Sequence, residues 1–165
     1  LVNNAGVVDV SARVDEMSVA RWRRMFDINV IGSLICAREA VRRMSTRHGG
    51  EGGSIVNVSS AAARLGSPGQ YVDYAAAKGA IDAFTIGLAK EVAGEGIRVN
   101  AVRPGLIETD IHASGGLPNR VKDLQHLVPA QRGGTAPEVA EAIVWLLSDS
   151  ASYTTLSFLD VSGGR

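Results

Sequence analysis

The chain has 165 residues, of which 45% are hydrophobic and 21% charged, an ordinary composition for one globular domain. Its 17 basic and 17 acidic residues give a net charge of zero, so no overall field favours nucleic acid or an anionic membrane as a partner. No apolar run approaches the roughly eighteen residues of a membrane span, and we expect one cytoplasmic domain over residues 1–165. The single cysteine, Cys36, excludes an intramolecular disulfide and is predicted to be a buried packing thiol.

Three segments with helical apolar periodicity stand out along the chain. Ser18 is a candidate N-cap for the first segment, and the second is rich in alanine, which favours helix. Thr135 or Ala136 would cap the third segment. We predict these helices at residues 19–47, 72–93 and 137–148.

Short apolar runs between the helices predict strands that are buried on both faces, as in parallel sheets. Leu1 and Val2 resemble the end of such a strand, so we expect the chain to be a fragment or a truncated product. Further strands are predicted at residues 54–58, 97–102 and 158–161. The alternation of strands and helices predicts an α/β fold, with a parallel sheet covered by helices.

Two long loops and a glycine cluster complete the predicted organisation. The loops cover residues 62–71 and 109–134, and the second is where a substrate lid is expected. The glycines of residues 49–53 follow a helix and precede a strand, which reverses the order found in a dinucleotide-binding turn. We therefore predict that residues 49–53 form a flexible connector.

Tyr74 and Lys78 lie four residues apart and therefore share one face of the second predicted helix. A phenol has an ordinary pKa near 10 and is a weak base at neutral pH, whereas a neighbouring ammonium group favours the phenolate. The pair could thus carry a proton to or from an alcohol or carbonyl group. The alternative is an ordinary solvated pair on a helix surface. Tyr71 is a weaker candidate because Ala75, four residues later, supplies no cation.

Other candidate residues lie near predicted strand ends. Ser60 follows the strand at 54–58, at the edge of the sheet where ligands bind, and its hydroxyl could polarise a substrate carbonyl. A turn or cap is the alternative for Ser60. Asn29, inside the apolar first helix, is either a helix defect, a solvated residue or an interior amide that holds a water. Pro104 and Gly105 predict a sharp exit turn that brings backbone close to a ligand.

Six short motifs resemble those of the classical short-chain dehydrogenases/reductases and occur in that family's order. They cover essentially the whole chain: Asn3-Asn4-Ala5-Gly6, Ile28-Asn29-Val30, Ile55-Val56-Asn57-Val58-Ser59-Ser60, Tyr74-Ala75-Ala76-Ala77-Lys78, residues 97–105, and Asp160-Val161-Ser162-Gly163-Gly164. The resemblance implies a Rossmann-like doubly wound parallel sheet. It would be incomplete here, with only the strands and helices from the fourth strand onward.

The resemblance also implies NAD(P)-dependent interconversion of a secondary alcohol and a ketone or other carbonyl compound. Tyr74 would be the general acid/base, and Ser60 would orient and polarise the substrate oxygen. Lys78 would hold the nicotinamide ribose and lower the pKa of Tyr74, while Asn29 would support a water that relays protons. The cofactor would supply the hydride chemistry. Its remaining contacts would come from Asn3, Ala5, Gly6, Pro104, Gly105, Ile107 and Thr109.

Two departures from the family pattern stand out. The family's N-terminal strand, glycine-rich turn and helix, which hold the cofactor pyrophosphate, have no counterpart in this sequence. The residue that reads the ribose 2′ position belongs to that region, so NAD and NADP both stay open. A truncated non-catalytic module, unable to bind cofactor by itself, is the alternative to an enzyme. Leu156 stands where the family usually has glycine, and a positive φ there would cost stability.

The resemblance further implies a homo-oligomer, either a tetramer or a dimer. Its contacts would come from the two long helices and from the last helix together with the last strand. The substrate would be a small alcohol or carbonyl compound, selected by residues 107–128.

His48, His112 and His126 show no metal-ligand spacing, and no metal site is predicted. His112 lies in the expected lid.

Overall fold

Parallel strands form the central sheet of the computed structural model, which describes residues 1–165. The strands are β1 (Val2–Asn3), β2 (Gly53–Val58), β3 (Ile97–Pro104), β4 (Ile107–Glu108), β5 (Gly134–Thr135) and β6 (Phe158–Val161). The central sheet has the order β1-β2-β3-β6, and β4 pairs in parallel with β5. The predicted parallel α/β architecture is confirmed, and β3 continues slightly beyond its predicted end.

The α-helices are α1 (Val19–Phe26), α2 (Gly32–Met44), α3 (Ala62–Leu65), α4 (Val72–Val92), α5 (Ile111–Ser114), α6 (Arg120–Leu124) and α7 (Ala136–Leu147). Ser18 caps α1 by accepting the Arg21 N–H at 3.2 Å, and Thr135 caps α7 by accepting the Glu138 N–H at 3.4 Å. The predicted helices at 72–93 and 137–148 are confirmed, while both predicted long loops contain short helices. No helix combines the length and apolar character that crossing a membrane requires.

The first predicted helix is interrupted, so the prediction of one helix over residues 19–47 is wrong. A π-helical segment, Asp27–Ile31, separates α1 from α2, and α2 stops short of the predicted end. The Asn29 side chain lies at this interruption. Its Nδ2 donates to the Met25 carbonyl at 2.9 Å and to the Val7 carbonyl at 3.1 Å. A side chain that engages a helix carbonyl opens the local hydrogen-bond ladder. Here it also fastens the helix to the loop after β1.

The glycines of residues 49–53 form a hydrogen-bonded turn, which corrects the prediction of a flexible connector. The Gly52 N–H donates to the Met44 carbonyl at 2.7 Å, and the Gly53 N–H donates to the Gly96 carbonyl at 3.0 Å. Gly52 has a φ of 87°, and a Cβ there would meet the Gly96 oxygen at 2.4 Å. Both features require glycine. The turn enters β2 at the amino edge of the sheet, opposite the edge where ligands bind.

Alternate residues of the central strands pack on opposite faces of the sheet. Ile55 and Val99 belong to a cluster that includes residues of α2 and α4, whereas Val56 and Val102 pack with residues of α7. All four side chains are fully buried. Helices therefore cover both faces, as in a doubly wound sheet.

Cys36 is exposed, which corrects the prediction of a buried thiol. The inward positions of α2 are Ser33, Ala37 and Ala40, whose spacing of four and then three residues marks one helix face. Cys36 falls outside that face, so its apolar neighbours in sequence do not bring it into the core.

Candidate active site

A cavity of about 890 Å³ opens at the carboxyl edge of the central sheet. It is lined by residues that follow β1, β2 and β3, by the first turns of α4, and by the segment from β4 to α6. The carboxyl ends of parallel strands converge at one edge, which is why segments distant in sequence meet there. Ser60, Tyr74 and Lys78 all line this one cavity.

Lys78 is buried on α4, with 4% of its surface exposed. Its Nζ donates to the Val58 carbonyl at 2.7 Å and lies 5.6 Å from the centroid of the Tyr74 ring. Burial lowers the pKa of Lys78 to about 8, and the negative charge of Asp82, one turn further along α4, opposes that shift. An ammonium group therefore persists beside Tyr74 at neutral pH.

The pKa of the Tyr74 phenol is raised rather than lowered. Burial raises the pKa of its phenol, because a low-dielectric surrounding disfavours the phenolate, and an interaction with the Ser60 side chain offsets part of the shift. The sequence predicts that Lys78 lowers the pKa of Tyr74, whereas the net direction is upward and burial is its largest cause. At neutral pH the phenol is protonated and can donate a proton.

Ser60 lies in the turn after β2, and its Oγ accepts the Ala62 N–H at 3.1 Å. This contact uses the oxygen as an acceptor, so the hydroxyl hydrogen can still donate to Tyr74 or to a substrate oxygen in the cavity. The preceding Ser59 is buried and donates to the Lys78 carbonyl at 3.3 Å. The turn role of Ser60 and its capacity to polarise a substrate oxygen are therefore compatible, while Ser59 ties the end of β2 to α4.

Asn29 lies behind the cavity, and its side chain is engaged by protein. Its Oδ1 accepts the Val7 N–H at 3.0 Å, and its Nδ2 donates to the carbonyls of Val7 and Met25. Gly6, which lines the cavity, has no room for a side chain, because a Cβ would lie 2.8 Å from Asn29 Oδ1 and 3.6 Å from Lys78 Nζ. Asn29 thus positions the loop after β1 next to Lys78, and its role in a proton relay stays a prediction.

Asn3 does not line the cavity, although it was expected to lie along the cofactor. Its Nδ2 donates to Asn57 Oδ1 at 2.9 Å and to the Ser33 carbonyl at 3.3 Å. Asn57 in turn donates to Thr85 Oγ1 at 2.9 Å. All these residues are buried, so the side chain of Asn3 links β1, β2 and the helices beneath the site.

The remaining predicted cofactor residues do meet in the cavity. The structure places there Ala5, Gly6, Pro104, Gly105, Ile107 and Thr109. Gly105 is required by packing, because a Cβ would lie 2.7 Å from the Cα of Ser162. No group of three or more His, Cys, Asp or Glu side chains is arranged to hold a metal ion.

Several cavity residues were missed by sequence reasoning, among them Val8, Leu106, Arg120, Val139 and Ile143. The apolar members have no local pattern that separates them from core residues, because their common wall exists only after folding. Arg120 lies in a segment that was expected to be loop, where charged residues are ordinarily solvated.

An ion pair that the sequence did not reveal anchors the start of α4 beside Tyr74. The Arg21 Nε donates to Asp73 Oδ2 at 2.7 Å and its Nη2 donates to Asp73 Oδ1 at 3.2 Å. The two side chains are 11% and 1% exposed. Asp73 Oδ1 also accepts the Tyr74 N–H at 2.9 Å. The pair joins residues 52 positions apart and fixes the backbone that carries the Tyr74 phenol.

Comparisons with known proteins agree with this architecture. A family model described as enoyl-(acyl carrier protein) reductase matches residues 1–165. The uncharacterized oxidoreductase YgfF of Escherichia coli strain K12 is 59% identical over 165 residues, which are all of this chain and 67% of that protein. The cis-4-hydroxycyclohexanecarboxylate dehydrogenase of Sinomonas cyclohexanicum is 41% identical over 167 residues, 99% of this chain and 64% of that protein.

Among solved structures, one described as ElxO with NADP bound matches with a TM-score of 0.87 and 31% sequence identity. The match covers 99% of this chain and 65% of that one. The chain thus spans about two thirds of the length of these relatives. Because the family match extends over the whole sequence and the sheet has the expected parallel order, the chain belongs to the short-chain dehydrogenase/reductase family of oxidoreductases, in its classical type.

Proposed function

We propose that this chain carries the acid/base centre of an NAD(P)-dependent oxidoreductase that interconverts a secondary alcohol and a ketone or other carbonyl compound. The observation that carries the proposal is the shared cavity of Ser60, Tyr74 and Lys78. Oxidoreductase relatives support the reaction class, and one of them is named for a hydroxycyclohexane acid, which is a secondary alcohol.

Tyr74 moves the proton in this proposal. During carbonyl reduction its hydroxyl donates a proton to the substrate oxygen, and during alcohol oxidation the phenolate accepts the hydroxyl proton. Ser60 donates a hydrogen bond to the same oxygen and stabilises the negative charge that develops on it. The Lys78 ammonium stabilises the phenolate that remains on Tyr74 after proton donation.

The cavity fits the reactive end of a nicotinamide dinucleotide together with a small substrate. Its volume of about 890 Å³ lies within the range of cofactor and ligand sites. Lys78 Nζ makes one hydrogen bond to protein, at Val58, and its other N–H groups are free for ribose hydroxyls. When bound, NAD or NADP supplies or accepts the hydride. We assign its binding to Tyr74, Lys78, Ala5, Gly6, Pro104, Gly105, Ile107 and Thr109, with Asn3 supporting them from below.

We also propose that the protein is a homo-oligomer. Large apolar side chains are exposed on α1, α2, α4 and the π segment: Trp22, Phe26, Ile31, Ile35 and Ile86. A second exposed apolar set lies on α7 and β6: Val144, Trp145 and Leu159. Contact between two subunits through one of these sets gives a dimer, and contact through both sets gives a tetramer. Light scattering of the purified gene product checks this, and a monomer at micromolar concentration would contradict it.

Cofactor absorbance in the presence of ketones tests the proposed reaction. The complete gene product that carries these residues is expected to oxidise NADH or NADPH with at least one cyclic or linear ketone. Ser60→Ala should lower kcat about a hundredfold, because it removes a donor to the developing oxyanion. Absence of turnover with every ketone and both cofactors would favour the non-catalytic module instead.

A further inference from the structure

One wall of the cavity carries positive charge without a matching carboxylate. Arg120 and Arg165 both line the cavity that contains Tyr74. No Asp or Glu oxygen lies within 4.0 Å of either guanidinium group. By contrast, the half-buried Arg98 donates to the carbonyl of Leu146 at 2.7 Å, and Arg103 pairs with Asp82. The two cavity arginines therefore lack the partners that other enclosed arginines of this chain have.

Tyr71 holds the Arg120 side chain against the cavity. The guanidinium carbon lies 5.2 Å from the centroid of the Tyr71 ring, a cation–π contact. Tyr71 itself is buried, and its hydroxyl donates to the Gly115 carbonyl at 3.4 Å. It directly precedes α4, so the stacked guanidinium lies beside the segment that carries Tyr74. A guanidinium held against an aromatic ring still has N–H groups available for a planar anion.

The other groups around Arg120 do not neutralise it. His112 lines the same cavity. Burial is the main cause that lowers the pKa of His112, and the charge of Arg120 lowers it further. The imidazole is therefore uncharged at neutral pH. Burial also lowers the pKa of Arg120, and the charge of Arg165 lowers it further, as expected for a cation without an anion. Asp110 is the one acidic side chain in the lining, and it is exposed and unpaired with Arg120.

We propose that the substrate of this site carries an anionic oxygen group, a carboxylate or a phosphate, in addition to its alcohol or carbonyl group, and that Arg120 binds that anion. The inference rests on the proposed oxidoreductase function and specifies its substrate class. A guanidinium binds two oxygens of such a group through parallel N–H donors, which fixes both distance and orientation. Apolar lining residues such as Leu65, Ile111 and Ile143 suit the carbon skeleton of the substrate.

Two matched pairs of carbonyl compounds test this substrate class in the complete gene product. They are 4-oxocyclohexanecarboxylate against its methyl ester, and dihydroxyacetone phosphate against dihydroxyacetone. For at least one pair, kcat/KM of the anionic member is expected to exceed that of the neutral member about tenfold or more. Arg120→Gln should bring that ratio to about one, and Arg120→Lys should leave it in between. Lys122→Gln, an exposed position of the same helix outside the cavity, should preserve the ratio.

The inference is overturned by a ratio near one for both pairs in the unaltered protein, or by a ratio that Arg120→Gln does not change. It is also overturned if Arg120→Gln raises the Kd for NADH or NADPH by a larger factor than it raises the KM for the substrate, because Arg120 would then bind cofactor phosphate.

Calorimetric titration with the same compounds separates this inference from the proposed reaction. Anion binding that Arg120→Gln abolishes, without turnover of any compound, would support the anionic site and contradict the reaction. Turnover without preference for the anionic members would contradict the anionic site and leave the reaction intact. Absence of both turnover and anion binding would contradict the anionic site as well.

Discussion

Gly6 and Asn29 are in such close contact that a Cβ on Gly6 would lie 2.8 Å from Asn29 Oδ1. The same oxygen accepts the Val7 N–H, and the virtual Cβ would also lie 3.6 Å from Lys78 Nζ. One glycine therefore lets the loop after β1, the π-helical segment and the buried lysine meet beside the cavity.

Gly6→Ala is expected to displace Asn29 and with it the loop that flanks Lys78. We expect turnover to fall about tenfold or more and the free energy of unfolding to fall by about 1–3 kcal/mol, as for overpacked interiors. Steady-state kinetics and urea unfolding measure the two effects. Gly87→Ala is the matched control, since a Cβ there meets nothing within 4 Å and alanine favours the α4 helix. Turnover near the unaltered level in Gly6→Ala would show that this contact does not position the site.

We predict that the burial of Lys78 makes the free energy of unfolding depend on pH. Its pKa is about 8 in the folded chain against an ordinary 10.5, so the unfolded chain binds more protons between these values. The free energy of unfolding therefore gains a Lys78 contribution as pH rises through this window, about 3 kcal/mol in total, and that contribution is absent below about pH 8.

Urea unfolding at about pH 7 and about pH 10 measures this contribution. Lys78→Met should remove the Lys78 part of the upward slope, because methionine has no proton to release. Lys90→Met, which replaces an exposed lysine of the same helix, should keep the slope. Equal slopes in the unaltered chain and in Lys78→Met would contradict the burial of a charged Lys78.

Leu156 has a φ of 59°, so the condition under which a leucine at this position costs stability is met. This left-handed conformation costs a side-chain-bearing residue about 1–2 kcal/mol, although Leu156 also packs against a core cluster. Comparing Leu156→Gly with Leu156→Ala separates the two effects, since both variants lose the packing and only alanine keeps the backbone strain. Urea unfolding should show the glycine variant to be the more stable by about 1 kcal/mol. If the alanine variant were the more stable of the two, as is usual in regular secondary structure, the result would contradict backbone strain at this position.

The candidate residues that the sequence predicted correctly as neighbours follow local rules. Tyr74 and Lys78 share a helix face through their spacing of four, and Ser60 follows a strand that its apolar run marks. Parallel pairing then brings the strand end and the helix to one edge of the sheet. Topology and local spacing were therefore enough to place these three side chains in one cavity.

The features that escaped prediction depend on contacts between distant segments. Asn29 interrupts the first helix because the backbone of Val7, 22 residues away, takes up its amide. The partner of Asp73 is 52 residues away on α1. Arg120 enters the cavity because Tyr71 stacks on it, and the short helix that carries it has no apolar periodicity to reveal its orientation. The pKa of Tyr74 likewise depends on burial, which spacing alone does not give.

Tyr74→Phe tests the central claim most directly, because it removes the phenolic proton and keeps the ring that lines the cavity. In the complete gene product, turnover with a ketone is expected to fall about a hundredfold to ten-thousandfold, while the Kd for NADH or NADPH, measured by fluorescence titration, changes about twofold or less. Tyr153→Phe, a fully exposed tyrosine, serves as the matched control. Turnover of Tyr74→Phe within about twofold of the unaltered protein would contradict the assignment of Tyr74 as the acid/base.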